Sequence, residues 1–353
     1  MSYWIKNKNI MEYKNLPNTD IQVSKICLGT MTWGRQNSQD EAFEQMNYSV
    51  ERGVNFFDTA ELYPVPASPD KYALTEKIIG NWFQKFKKRD EVILATKIAG
   101  PGDYTAHIRK SGFKGSSIDD ALDGSLNRLR TDYIDLYQLH WPERITNTFG
   151  NRNFQYFNDS WEDNFESILE KLKNLIKKGK IRHIGLSNEN PWGIMKFLEY
   201  SKRELPKMIT IQNPYSLLNR LFEIGSSEIC KRESMGLLAY SPLAFGVLTG
   251  KYFDGNVPKN SRMDLFPRLK RYNNENSFKA AKLYNEIAKK NDLSLTQLSL
   301  AFVNDRPFVT SNIIGATTVE QLKENIDSAS VKLSDEIISE INQVNNKIPN
   351  PSP

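Results

Sequence analysis

At 353 residues the chain is long enough for two ordinary domains or one large barrel, and its 39% hydrophobic content supplies a sizeable core. The 47 basic and 42 acidic residues leave a formal charge of +5 that is spread along the chain, which argues against a nucleic-acid or polybasic membrane partner. Two distant cysteines (Cys27, Cys230), three histidines without ligand spacing (His107, His140, His183) and no bilayer-length or signal-like apolar run predict a reduced, cytoplasmic setting and no metal.

Residues 1–10 read as a loose extension, and Met11 to Val23 as a small β-hairpin around the turn Leu16-Pro17-Asn18-Thr19-Asp20. A strand–helix alternation then begins. Strand-like runs lie at Lys25–Leu28, Asn55–Asp58, Val92–Thr96, Ile134–Leu139, Ile181–Leu186, Met208–Gln212, Gly236–Tyr240 and Asn312–Gly315. Helical patterns fall at Asp40–Arg52, Thr75–Lys85, Ile118–Leu129, Phe165–Lys178, Trp192–Tyr200, Phe222–Glu233, Leu295–Asn304 and Val319–Ala329, with Ser334–Asn346 as an additional C-terminal helix. The densest basic runs, Lys85–Arg89 and Lys177–Lys180, sit at helix ends, where cations complement the helix dipole. Eight strands, each followed by a helix, predict an α/β fold of the (β/α)8 TIM-barrel type, with an N-terminal hairpin and extra C-terminal helices. No linker divides it, so the expected units are the extension 1–10, a single barrel over 11–346 and a tail over 347–353. Two long connections, Trp141–Asn164 and Tyr252–Asn276, have the length of binding loops. The first carries Phe149, Phe154, Tyr156, Phe157 and Trp161, rings that can wall a substrate pocket or simply pack.

The chemistry gathers at the carboxyl ends of the strands, the edge where barrels collect catalytic groups. The second barrel strand delivers Asp58, and its loop delivers Tyr63. The third delivers Lys97 and the fourth His140. Two opposite charges on neighbouring strand ends are expected to pair as Asp58–Lys97. An ammonium beside a phenol stabilises its anion and is expected to lower the Tyr63 pKa, while His140 can orient a carbonyl or share the proton. Taken singly, each residue reads as a cap or a turn. Four proton-handling groups on three consecutive strands do not.

The segments Leu28-Gly29-Thr30-Met31-Thr32-Trp33-Gly34, Gly53 to Tyr63, Ala95-Thr96-Lys97, Asp132 to His140, Gly179 to Asn188, Gln212-Asn213-Pro214-Tyr215, Tyr240-Ser241-Pro242-Leu243 and Ile314 to Asn325 stand in one consistent order. On these, from about Met11 to Asn346, the sequence resembles the aldo-keto reductases, most closely the bacterial members related to potassium-channel β subunits. The resemblance implies reduction of an aldehyde or ketone by NADP(H). Tyr63 would be the general acid, Lys97 its pKa modulator, Asp58 the support of Lys97, and His140 the carbonyl-orienting group. It further implies that Ser187, Asn188 and Gln212 hold the nicotinamide carboxamide and that Tyr215 stacks on the ring. Gly29, Thr30, Asp58, Tyr240, Ser241, Pro242, Leu243 and Gly246 would complete that side, with the Ser241–Gly246 backbone cradling the pyrophosphate. Lys251 and Arg262 would meet the phosphates, and Gly315, Thr317, Gln321, Glu324 and Asn325 the adenosine end. Trp33 and Trp141, with Tyr63 and His140, would contact a small-molecule carbonyl substrate.

Gly29–Gly34 and Gly246–Lys251 imitate P-loop spacing but lack the lysine–hydroxyl ending or a residue of length, and no G-x-G-x-x-G is present. Alternative readings are a barrel aldolase with Lys97 as Schiff-base nucleophile, a cofactor-binding sensor subunit with slow turnover, and the same chemistry run as a dehydrogenase. The sequence leaves substrate and oligomeric state open.

Overall fold

The structure, a computed structural model, describes residues 11–154, 160–266 and 270–353. The expected extension 1–10 and the loop rings Tyr156 and Phe157 lie outside the described residues. In chain order the strands are β1 (Tyr13–Asn15), β2 (Gln22–Ser24), β3 (Ile26–Gly29), β4 (Phe56–Asp58), β5 (Ile93–Ile98), β6 (Ile134–Leu139), β7 (Ile181–Ser187), β8 (Met208–Pro214), β9 (Gly236–Tyr240) and β10 (Val309–Ile314). The helices are α1 (Gln39–Glu51), α2 (Leu74–Phe86), α3 (Ser117–Leu129), α4 (Phe165–Lys177), α5 (Pro191–Ser201), α6 (Ser226–Arg232), α7 (Arg262–Leu265), α8 (Glu275–Lys290), α9 (Leu295–Asn304), α10 (Val319–Asp327) and α11 (Asp335–Lys347).

Strands β3 to β10 form a closed parallel barrel in which β10 meets β3, so the TIM-barrel expectation holds. Alternation along the strands makes two cores. One side of each strand fills the lumen, where Cys27, Phe56, Ala95, Leu136, Leu238 and Ile313 pack together. The other side meets the helices through residues such as Leu28, Phe57, Leu94 and Tyr137. The antiparallel hairpin β1–β2 adds Leu16 and Val23 to the lumen core, so it plugs one end of the barrel.

Register then places the polar groups. Asp58 follows Phe56 by two residues, Lys97 follows Ala95, and Gln138 follows Leu136. With a period of two, all three point into the lumen one layer above the apolar floor. Lys97 stands directly beside Gln138 across the β5–β6 ladder. The sheet itself therefore gathers the site.

Two expectations need correction. The helix expected over Phe222–Glu233 is a short 3-10 turn at Leu221–Glu223 followed by α6, because Gly225 breaks it at φ 85°. Helix α8 was not anticipated: its inner face is built from Ser277, Ala280, Ala281 and Ala288 around Tyr284 and Ile287, and such small residues give little hydrophobic contrast. The C-terminal tail packs against the barrel. Pro351, Ser352 and Pro353 are buried, and Ser352 donates its N–H to Leu218 O at 3.0 Å. Among the described residues no helix is long and apolar enough to cross a membrane.

Candidate active site

Lys97 is fully buried and Asp58 is 2% exposed. Lys97 Nζ donates to Asp58 Oδ2 at 2.6 Å and to Thr59 O at 2.7 Å. An ammonium has three protons, and the third faces Tyr63, whose ring centroid lies 4.9 Å from Nζ. The free carboxylate oxygen of Asp58 accepts from Gln212 Nε2 at 2.8 Å and Gln138 Nε2 at 3.2 Å. A buried ion pair is sustained only when its remaining hydrogen-bonding capacity is met, and here it is. His140 completes the group: its ring is 5.9 Å from that of Tyr63 at 75°, and Nδ1 is buried without a protein partner among the described residues.

Burial works against the Lys97 charge, but Asp58 and Tyr63 outweigh it and hold the ammonium above its ordinary pKa. For Tyr63 the balance corrects the sequence expectation. Burial raises the phenol, Lys97 pulls it down, and the net shift is upward. Tyr63 therefore remains a protonated acid, with Lys97 limiting the rise. Burial and then Lys97 push His140 well below 6.5, so its imidazole is neutral at pH 7.

A second network links the next strand ends. Ser187 Oγ donates to Gln212 O at 3.0 Å, and Asn188 Nδ2 donates to His140 O at 2.9 Å and Ser187 Oγ at 3.0 Å. Tyr240 closes it by donating to Asn188 Oδ1 at 2.7 Å. Gln212 is therefore committed to Asp58 through its side-chain amide and to Ser187 through its backbone carbonyl. Tyr215 does not join this site. It has no accessible surface, lies 5.9 Å from Phe302 at 21°, and donates to Glu223 Oε1 at 2.5 Å, so neither ring face can receive a ligand. Tyr240, partly exposed at the end of β9, is the aromatic ring that borders the network. Trp33 is likewise enclosed, with Nε1 donating to Gln45 Oε1 at 3.1 Å, and cannot wall a pocket. Trp141 can: its ring is 4.9 Å from His140, and Phe149 stands edge-on to it at 6.0 Å. Trp161 packs instead against Phe165 and Trp192.

Two supporting groups escaped the sequence reading. Gln138 is one, a fully buried amide at a lumen-facing position of β6. The other is Glu61, which takes both oxygens to Arg109 and accepts Ala99 N–H at 2.7 Å, tying the Tyr63 loop to the end of β5. A buried polar residue at a lumen register was the available signal for Gln138; nothing local announces Arg109 as the partner of Glu61.

The remaining candidates lie along one side of the barrel mouth. Gly29 is a packing position, since a Cβ there would meet Ile313 Cγ2 at 2.8 Å, and Thr30 is enclosed with Oγ1 donating to Asp58 O at 2.9 Å. After Tyr240 the loop Ser241–Thr249 winds through left-handed residues Ser241, Ala244, Phe245 and Gly246. The N–H groups of Ala244 and Gly246 are used by its own turns, to Ser241 O and Leu243 O. Pro242 is buried, while Ser241 and Leu243 are partly open. Gly246 leaves room for the Lys251 side chain, which a Cβ would meet at 2.7 Å. Beyond β10, Gly315 has open space around it, Asn325 Nδ2 donates to Gly315 O at 3.2 Å, and Gln321 Oε1 accepts from Thr317 N at 3.0 Å. Thr318, not Thr317, caps α10, and Glu324 turns away to accept Ser294 Oγ at 2.6 Å.

Arg262 tests whether a phosphate-bearing cofactor fits. Burial pushes its pKa down to about 10, and its Nη1 is buried without a protein partner among the described residues. Burial and Arg262 also lower Lys251. Two neighbouring cations held at such cost, one with an orphaned donor, suit a bound anion. The residues fit the phosphates of a nicotinamide dinucleotide.

The comparisons agree with this geometry. The model described as "Aldo/keto reductase family" matches residues 25–346. "Protein tas" of Escherichia coli (strain K12) is 44% identical over 97% of this chain and 100% of its own length. "Uncharacterized oxidoreductase YrpG" of Bacillus subtilis (strain 168) is 35% identical over 95% of this chain and 96% of its own. "Norsolorinic acid reductase stcV" of Emericella nidulans is 30% identical over 92% of this chain and 79% of its own. A barrel with this strand order, matched over nearly its whole length by that family, makes the chain a member of the aldo/keto reductase family and an oxidoreductase.

Proposed function

We propose that the protein reduces an aldehyde or ketone to the alcohol with NADPH, using Tyr63 as general acid. The observation that carries this is the Lys97 ammonium, fixed between Asp58 Oδ2 and Thr59 O, with the Tyr63 phenol beside it and a neutral imidazole opposite. A reduced nicotinamide supplies the hydride when bound. His140, neutral, donates its ring N–H to the carbonyl oxygen and orients it. Tyr63 transfers its hydroxyl proton to that oxygen as negative charge develops there. Lys97 stabilises the phenolate left behind, and Asp58 with Gln138 and Gln212 keeps Lys97 from moving. In this reading Ser187, Asn188 and Gln212 hold the carboxamide, and Lys251 with Arg262 the phosphates.

A Schiff-base aldolase needs a neutral amine at Lys97. The opposite charge of Asp58 and the upward pKa favour the ammonium, so the reductase is the better reading. NADPH consumption against a panel of aldehydes and ketones tests it. A folded protein that binds NADPH yet turns over none of them overturns the proposal.

Two further outcomes are expected. With Tyr63 raised and His140 neutral, kcat/KM should stay flat between about pH 6 and 9, since that profile reports groups in the form that meets the substrate. An alkaline limb with its midpoint below pH 9 contradicts this assignment. Arg262→Gln should weaken NADPH binding by about ten- to hundred-fold, the value of a hydrogen bond to a charged group. Fluorescence titration reads it, and an unchanged Kd removes Arg262 from the site.

A further inference from the structure

The loop that carries Tyr63 leaves β4 beside β5, and the two segments stay paired beyond the end of β4. Thr59 N donates to Ala95 O at 2.9 Å, and Glu61 N donates to Lys97 O at 3.2 Å. A parallel ladder would next carry the Ala99 N–H to the Glu61 carbonyl. It donates instead to the Glu61 side chain, at Oε1 and 2.7 Å. The chain is already turning there: Tyr63 N donates back to Ala60 O at 3.0 Å, and Pro64 has no N–H to offer β5. A carboxylate therefore supplies the last rung, two residues before the phenol.

Glu61 has no accessible surface, and Arg109 meets both of its oxygens: Nη2 donates to Oε2 at 2.9 Å and Nη1 donates to Oε1. Arg109 comes from the loop after β5, where its N–H donates to Thr105 O at 3.2 Å and Thr105 Oγ1 donates to Gly100 O at 2.8 Å. Ala99 joins Ala60 and Leu62 in the apolar cluster around Tyr63, and Ile108, next to Arg109, packs against that cluster. The same two segments thus hold the carboxylate and enclose the phenol ring. A buried ion pair adds little net stability over an apolar pair of similar volume. What this one adds is direction, because a guanidinium fork and a carboxylate meet in one planar geometry.

We propose that Glu61 and Arg109 are a positioning pair for proton transfer, which holds the Tyr63 hydroxyl beside the Lys97 ammonium without touching the substrate. The inference rests on the reductase reading and adds two residues to that site. Asp58, Gln138 and Gln212 fix the ammonium from inside the barrel. Glu61 and Arg109 fix the phenol from the loop side, so that donor and stabilising cation keep one separation.

Glu61→Gln tests it, since the amide keeps the shape and an acceptor for Ala99 N–H but removes the ion pair. With NADPH and 4-nitrobenzaldehyde, kcat is expected to fall about ten- to hundred-fold while KM and the NADPH Kd stay within about threefold. In a Tyr63→Phe background the same change should cost less than about threefold, because the pair acts through the hydroxyl. Arg109→Lys, which keeps the charge, should fall between Arg109→Gln and the parent. Glu61→Gln combined with Arg109→Gln leaves no unpaired charge and serves if the single variant does not fold. A pair that only stabilised the fold would lower the urea midpoint and leave kcat of the folded protein unchanged. A kcat within about twofold of the parent, or an equal loss in both backgrounds, overturns the proposal and leaves the reductase standing. NMR of protein carrying 13C at the tyrosine Cζ needs no turnover. The Tyr63 resonance, identified by its loss in Tyr63→Phe, should move in Glu61→Gln. An unmoved resonance overturns the positioning role, whereas a moved one supports it even where no carbonyl is reduced and the reductase reading falls.

Discussion

Tyr63→Phe is expected to lower kcat/KM for carbonyl reduction by about 10²- to 10⁴-fold, the range contributed by a positioned general acid. The change removes one oxygen from a residue only 8% exposed and leaves its ring between Lys97 and His140. Binding of NADPH should remain within about twofold, since the phosphate-facing cations Lys251 and Arg262 are untouched. Steady-state NADPH oxidation and fluorescence titration on the same preparation separate the two effects. Near-full turnover in the variant would sink the assignment of Tyr63. The effect is expected in kcat as much as in kcat/KM, because the proton is given up only as the alkoxide forms.

The second large effect is on the fold. Asp58→Asn leaves the Lys97 ammonium buried, fully enclosed and facing a neutral amide. Breaking a buried pair by removing one partner costs about 3–5 kcal/mol, whereas replacing both costs much less. Asp58→Asn should therefore be strongly destabilised in urea, and adding Lys97→Met should recover a large part of the loss. Both variants should be inactive, so the urea midpoint carries the information. Single and double variants that unfold within about 1 kcal/mol of the parent contradict a coupled pair. The pH dependence has a definite sign. Lys97 is raised in the folded state, so its contribution is complete below the ordinary lysine pKa and is lost as pH rises through the folded value.

Several parts of this site were legible because they depend on local rules. A strand of alternating residues must point every second side chain the same way, so a polar residue two places beyond an apolar one marks the layer above the floor. That rule finds Asp58 after Phe56 and Lys97 after Ala95, and it would have found Gln138 after Leu136. Local periodicity failed where contrast was low, as in α8, whose buried face is largely alanine and serine.

Other assignments needed the folded chain. Tyr215 and Tyr240 both lie close to strand ends, and only packing against Phe302 and Glu223 shows that the first ring is walled in while the second borders the site. Trp33 looks like a pocket wall until Gln45 is found holding its indole inside. The direction of the Tyr63 shift depends on whether burial or Lys97 prevails, a balance set by surroundings drawn from several strands.

By itself, then, the order of strands and helices determined a (β/α)8 barrel, and residue type at strand ends determined the four proton-handling groups. Hydrogen-bonding need and side-chain alternation operate within a few residues, so the chain carries them openly. Only the tertiary structure decided which aromatics are enclosed and which carboxylate holds Arg109. It also decided that residues 350–353 dock against Arg152 and Arg271, more than seventy positions away. Those outcomes depend on desolvation and on partners distant in sequence, and neither exists before the barrel closes.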